Sequence, residues 1–358
     1  MKLQLFLFLL LIGTYKTYGQ GCVAIRSTGN VCTMDHTMGE HDSISRKWSL
    51  NANNRYYKSF RHFSGSEEQK QRVEQGTEVI NHAYTLDLSL TRSLSSRWSL
   101  SLDVPVIGNT RSSLYEHGGA ARHNTGSFGI GDIRISAYRW LLNPAKKANI
   151  QAGLGIKLPT GRYKVKDQFY TVNDTKIMGP VDQSIQLGDG GTGITAEINT
   201  FYTVSNKVNL YGNFYYLANP RERNGVSTAR GGTPSATAIA YTTDVMSVPD
   251  QYMIRVGTNY SINKFTISAG LRDECLPAHD LIGGNRGFRR PGYILSAEPG
   301  VVYKFRNVNT YIYAPIALVR NRTQSYPDEI RSNMTGTKYI GDAAFADYSI
   351  SIGTTFNF

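Results

Sequence analysis

Cysteine is scarce: three residues in 358 exclude a small scaffold held together by disulfides. Beyond the first few residues no segment approaches 18 consecutive apolar positions, which excludes a membrane-spanning helix. Charged residues make up only 18%, and the acids are the rarer sign, 27 against 39 Lys and Arg, for a formal charge of +12. At 40% hydrophobic and 11% aromatic the chain is too apolar for a disordered polymer, yet too evenly polar for a helical membrane protein. What it has in quantity is 35 Gly, 23 Tyr and 14 Phe, a balance that favours strands and turns over helices.

Met1-Lys2, the apolar run Leu3 to Gly13 and a short stretch ending Thr17-Tyr18-Gly19 have the order of a secretory signal peptide, expected over residues 1–19 with cleavage near Gly19-Gln20. Such a leader implies export across the inner membrane. Residues 20–45 do not alternate and hold Cys22, Cys32, Met34, His36, Met38 and His41. Three readings compete for this tail: a Cys22 to Cys32 disulfide in an oxidising compartment, a soft-ligand site for copper, and lipidation of Cys22. Lipidation lacks the usual aliphatic residue three places before the cysteine. A tail lying just before the first strand is also placed to plug a barrel from the periplasmic side. Cys275 is expected to be unpaired.

From Ile80 the even positions read Ile80, His82, Tyr84, Leu86, Leu88, Leu90 and the odd ones Asn81, Ala83, Thr85, Asp87, Ser89, Thr91. Period-2 alternation over about a dozen residues exceeds the five or six of a usual soluble strand. Trp98 to Val106 repeats it after a link of three residues, which makes an antiparallel hairpin. Runs of this kind lie near 46–60, 78–94, 98–108, 128–142, 148–160, 192–204, 208–218, 251–262, 264–274, 292–305, 308–320 and 344–358. Their connections alternate between tight links and long Gly-, Asn- and Arg-rich loops. A soluble sandwich has no reason to sort turns by parity, whereas an outer-membrane barrel has one rim of short periplasmic turns and one of long extracellular loops. The fold expected for residues 46–358 is therefore all-β, a transmembrane antiparallel up-and-down barrel of about twelve strands.

Trp48, Trp98 and Trp140 fall near the short-turn rim of such a barrel, as an aromatic girdle requires. The last run ends on outward Phe356 and Phe358, which looks like the C-terminal signal read by the barrel-assembly machinery. Near 129–142 the phase would put Arg139 toward lipid and Trp140 inward, so a bulge or an early strand end is expected there. Pro159, Pro299 and Pro315 fit rims or bulges.

Three segments occur in order: Gly129-Ile130-Gly131-Asp132-Ile133-Arg134, Gly155-Ile156-Lys157-Leu158-Pro159-Thr160-Gly161 and Leu187-Gly188-Asp189-Gly190-Gly191-Thr192-Gly193. Together they make the chain from about residue 80 onward resemble the outer-membrane transporter family named for the meta-cleavage pathway of phenol degradation, with Bacteroidetes transporter-like proteins suggested as the nearest relatives. The resemblance implies a barrel and passage of small, often hydrophobic compounds. It implies no substrate residue, because Gly and Pro-Thr-Gly suit strand ends and turns.

The inward positions give the candidate lumen lining: Asp87, Asp103, Asp132, Arg134, Lys157, Glu197, Asn213, Arg255, Arg272 and Glu298, with Tyr311 and Tyr313 (and Tyr211, Tyr215) lending it an amphipathic character. They would line an aqueous path or form a closed, salt-bridged interior. A lipid hydrolase needs a base beside a serine; only His82 falls well inside a strand, and the motif that would name its serine is missing, so no enzyme and no cofactor is expected. Loop arginines 221, 223, 230, 286, 289, 290, 320, 322 and 331 suit lipopolysaccharide phosphates better than nucleic acid. The expected function is passive passage of a small solute through the outer membrane of a Gram-negative bacterium. The alternative is a non-transporting accessory or adhesion barrel.

Overall fold

The computed structural model describes residues 47–143 and 146–358. The signal peptide, the tail with Cys22 and Cys32, and every reading attached to them lie outside the described residues.

Twelve strands run up and down in chain order. They are β1 (Trp48–Ser64), β2 (Ile80–Ser93), β3 (Trp98–Ser113), β4 in two segments (His123–Ile130 and Arg134–Trp140), β5 (Ala148–Lys157), β6 (Gly193–Thr203), β7 (Val208–Ala218), β8 (Gln251–Ile262), β9 (Phe265–Leu276), β10 (Gly292–Phe305), β11 in two segments (Val308–Tyr313 and Ile316–Asn321), and β12 (Ala343–Asn357). Each pairs antiparallel with the next, and β12 pairs with β1 from Ser49↔Asn357 to Phe63↔Ala343, which closes the sheet into a barrel. Closure removes the open edges that would otherwise leave backbone N–H and C=O groups bare in lipid. Among the described residues no helix is long and apolar enough to cross a membrane; the strands do so.

The alternation decides which face meets lipid. Leu154, Ile156, Ile194, Ile254, Ile267 and Ile312 are each 42–68% exposed on the outside of the wall, where acyl chains cover them, while their neighbours in sequence point inward and are buried. Trp48 and Trp98 lie outside at the short-turn rim, with Arg92 and Arg139 over their rings at 5.2 Å. Of the bulge or early strand end expected near Arg139, the structure has the second: β4 ends at Trp140, short of the expected residue 142. Alternation runs unbroken through Arg134–Trp140, Arg139 faces outward because Trp98 and the interface receive its charge, and Trp140 turns in against Phe201. The interruption of β4 falls earlier, at residues 131–133.

Both broken strands lie beside a proline. Pro105 of β3 accepts from the N–H of Gly131, and Pro299 of β10 accepts from the N–H of Ala314. On each of those edges the proline offers no donor. There the partner strand breaks, at 131–133 and at Ala314-Pro315.

Long loops leave every odd strand: L1 (65–79), L2 (114–122), L3 (158–192), L4 (219–250), L5 (277–291) and L6 (322–342). β1 and β3 outrun their expected ends, reaching Ser64 and Ser113, and β4 starts at His123. A strand of about 9–11 residues spans a bilayer, and β1 has 17. Its upper part stands above the membrane, where the outer face has no need of apolar residues and the alternation fades.

Candidate functional site

The inward side chains of neighbouring strands find one another across the wall. Arg134 of β4 lies 3.1 Å from Asp103 of β3 and 3.7 Å from Glu197 of β6, with its guanidinium 5.1 Å from the Tyr215 ring centre. Tyr138 donates to Glu197 at 3.0 Å. A second cluster joins β8, β9 and β10: Arg255 donates twice to Glu298, at 2.8 and 2.9 Å, and Arg272 donates to Glu298 at 3.3 Å and to Glu274 at 2.7 Å. Arg55 of β1 approaches Glu274 to 4.0 Å and so ties this second cluster to β1. Asn213 donates to Asn199 and Asn199 to Gln151. Asp87 is buried on the same face. Charges enclosed by a sheet must be paired or hydrogen-bonded to be tolerated, and the two arginine clusters meet that demand.

Arg55 and Glu274 were not singled out by the sequence. Arg55 belongs to a strand whose outward positions include Asn54 and Lys58, so its polarity does not stand out. Tyr211, Tyr215, Tyr311 and Tyr313 are inside, but at 1–4% exposure they are packed away, Tyr211, Tyr311 and Tyr313 against glycines of neighbouring strands.

The three glycine-rich segments, up to about sixty residues apart, meet at the break in β4. Asp132 accepts from the backbone N–H of Gly161 at 2.9 Å and of Asp189 at 3.2 Å. Lys157 donates to Asp132 at 3.2 Å, to Asp189 at 2.5 Å and to the Gly191 carbonyl at 2.6 Å. Thr160 accepts from the N–H of Ile133 and donates to the carbonyl of Gly131. A Cβ on Gly188 would stand 2.5 Å from Asp132 and 2.6 Å from the Gly161 carbonyl, so only glycine lets the loop lie this close. The result pins the start and end of L3 to the wall.

Between those pins L3 folds into the lumen. Val181, Ile185 and Leu187 pack with Ile107 and Val165, and the Ile185 carbonyl accepts from Ser127 and Asn109. Asp182 is held by Arg290 of L5 through two bonds, at 2.9 and 2.5 Å, with Arg111 at 3.5 Å. Burial alone would raise this carboxyl; the charges of Arg111 and Arg290 overcome that and keep it well below the usual carboxylate range. Glu116 of L2 binds Arg111 and Arg230 of L4, both at 2.7 Å. In L5, Arg289 and Asp280 form a fully buried pair through two 2.7 Å bonds.

The inserted segment has a cavity on each side. On the long-loop side a cavity of about 490 Å³ is bounded by Val181 and Asp182 together with L2, L4, L5 and L6. On the strand side a smaller one of about 40 Å³ is bounded by Leu187, Asp189, Asp132, Lys157 and Arg134. As for catalysis, His82 faces outward and bonds the Tyr56 hydroxyl. Among the described residues no histidine is hydrogen-bonded to a serine.

No known family profile matches the chain. In fold it is similar to an outer membrane channel from Pseudomonas putida F1, with a TM-score of 0.57 at 11% identity over 90% of this chain and 99% of that one. That likeness establishes the barrel fold. A Pseudomonas aeruginosa FadL homologue aligns over 96% of this chain and 100% of that one at 10% identity and a TM-score of 0.43. A CymD monoaromatic hydrocarbon channel aligns over 96% and 98% at 9% and 0.42; both are too distant to argue from.

Proposed function

We propose that the chain is an outer-membrane channel through which small solutes, hydrophobic and aromatic ones among them, pass passively, and that it is a relative of the transporter family its glycine-rich segments resemble. The observation that carries the reading is the pair of cavities in series, with one inserted stretch of L3 between them. A loop that closes a lumen while remaining hydrogen-bonded at both ends is the arrangement of a constriction. In this reading the short turns are periplasmic, the loops extracellular, and outward Phe356 and Phe358 serve recognition by the assembly machinery. The tail of residues 20–45 enters it only as a candidate plug.

The test is uptake into liposomes. Replacing Lys157 and Asp189 together, by Met and Asn, removes the Lys157 bonds that tie the end of L3 to the wall and leaves only backbone N–H groups on Asp132, while removing one charge of each sign. The variant should assemble and raise conductance or solute uptake severalfold over the wild type. The second reading, an accessory barrel, is favoured by the continuous ion pairing of Arg255, Glu298, Arg272 and Glu274 inside the wall. Folded protein without uptake in both wild type and variant would decide for it.

A further inference from the structure

The cavity on the long-loop side has an uneven distribution of charge. Arg230 faces Glu116, Arg290 faces Asp182, Arg289 faces Asp280 and Arg322 faces Asp328, at 2.5 to 3.0 Å. Asp342, at the end of L6, is taken by Arg72 and His62. Arg331, on the L6 helix Tyr326–Thr335, also lines the cavity and differs: no described carboxylate lies within ion-pair distance of it. Its guanidinium carbon sits 3.6 Å above the Tyr339 ring centre and 5.8 Å from that of Tyr241. A stacked guanidinium keeps its N–H edge directed outward in the ring plane, free for a planar oxyanion.

The walls around it are partly aromatic and apolar, with Tyr115, Phe288, Val181 and Met246. A volume of about 490 Å³ suits a small organic molecule. The other arginines of the cavity are matched by carboxylates, so an entering neutral solute finds no unpaired group to favour it. An entering anion finds one.

We propose that this cavity is a binding site for small aromatic carboxylates, with Arg331 receiving the carboxylate and the tyrosine and phenylalanine rings receiving the arene. The proposal deepens the channel reading by naming a solute class, and it rests on that reading only for the passage of the solute once bound.

The probes are benzoate, benzyl alcohol and acetate, titrated calorimetrically into the purified barrel in detergent at low salt. Benzoate should bind about tenfold more tightly than either, since each of the others lacks half of what the cavity offers. Arg331→Gln should lower benzoate affinity about tenfold and leave benzyl alcohol unchanged, and Arg331→Lys should restore part of it. Added salt should weaken benzoate far more than benzyl alcohol. Equal binding of benzoate and benzyl alcohol to the wild type, or unchanged benzoate affinity in a folded Arg331→Gln barrel, would overturn the site. Benzoate binding as expected with no liposome uptake would instead overturn the channel reading and leave the site standing.

Discussion

Tyrosine and glycine are paired across the inner wall. Tyr138 stands opposite Gly153, Tyr211 opposite Gly257, Tyr311 opposite Gly353 and Tyr313 opposite Gly300. A Cβ on Gly353 would lie 2.2 Å from the Tyr311 ring, and one on Gly300 equally close to Tyr313. Each glycine thus leaves the hollow into which a ring lies flat, and Tyr311 reaches Asn51 of β1 from there, donating to its Oδ1 at 3.0 Å. Gly353→Val should displace Tyr311 and cost about 1–3 kcal/mol through overpacking, lowering the heat-modifiable fraction. Combining it with Tyr311→Ala should recover part of that loss, and a strictly additive double variant would refute the pairing. Alternation in the sequence already shows these tyrosines on the inner face. That they lie flat depends on the register of two strands, to which neither strand's own pattern is sensitive.

Among the elements, L3 is the one whose position was least legible. Its hairpin, Lys166–Tyr170 with Lys176–Pro180, is held by rings to L2 and the start of β4: His117 stacks on Phe169 at 5.2 Å and His123 on Tyr170 at 3.8 Å. His117 also accepts from the N–H of Tyr170. Burial pushes the His117 imidazole below its usual range, as do His123 and Arg230; Glu116 and Asp167 pull the other way. A base held lower in the fold than in the free loop is favoured when neutral, so its contribution is complete above about pH 6.5 and declines as pH falls below that value. Amides of the hairpin should be less protected at pH 5 than at pH 7.5 once intrinsic exchange rates are divided out, and His117→Phe, which keeps the stacking, should flatten the dependence. A pH dependence undiminished in that variant would assign the effect elsewhere. The arginines of the loops and of the end of β11 have partners that the sequence does not show: Arg230, Arg289, Arg290, Arg320 and Arg322 all hold carboxylates of the chain itself, which only closure of the barrel and its loops arranges.

For the whole molecule the seam matters most. The last residue takes part in it directly: the N–H of Phe358 donates to the carbonyl of Trp48 at 2.8 Å, and the N–H of Trp48 to that of Phe358 at 2.9 Å. The Phe356 and Phe358 rings face outward at 42% and 58% exposure. Deleting Phe358 removes two backbone bonds, about 1 kcal/mol each in net stability, from a seam that runs the length of β1. If the terminal phenylalanines act as an assembly signal, the deletion should reduce barrel in the outer membrane severalfold while barely changing the melting of the protein that does assemble. Equal losses in both would mean the seam itself, and not recognition, is what Phe358 serves.

Strand count, the parity of turns and loops, and the face each strand shows to lipid could all be read before any coordinates. The bilayer imposes these on every strand separately, so they leave a period of two that needs no knowledge of the neighbours. Where that pressure lapses, above the membrane in β1 and β3, the pattern lapses too and the strand ends were missed. Closure of the sheet settled the rest: the lumen is paired shut in places, three distant glycine-rich segments become one latch, and L3 divides the interior in two. Inside the barrel a charged residue is satisfied by any partner that closure brings near. Alternation points Asp132 and Lys157 inward, but no spacing in the sequence announces that they meet Asp189; that meeting is a property of the closed sheet.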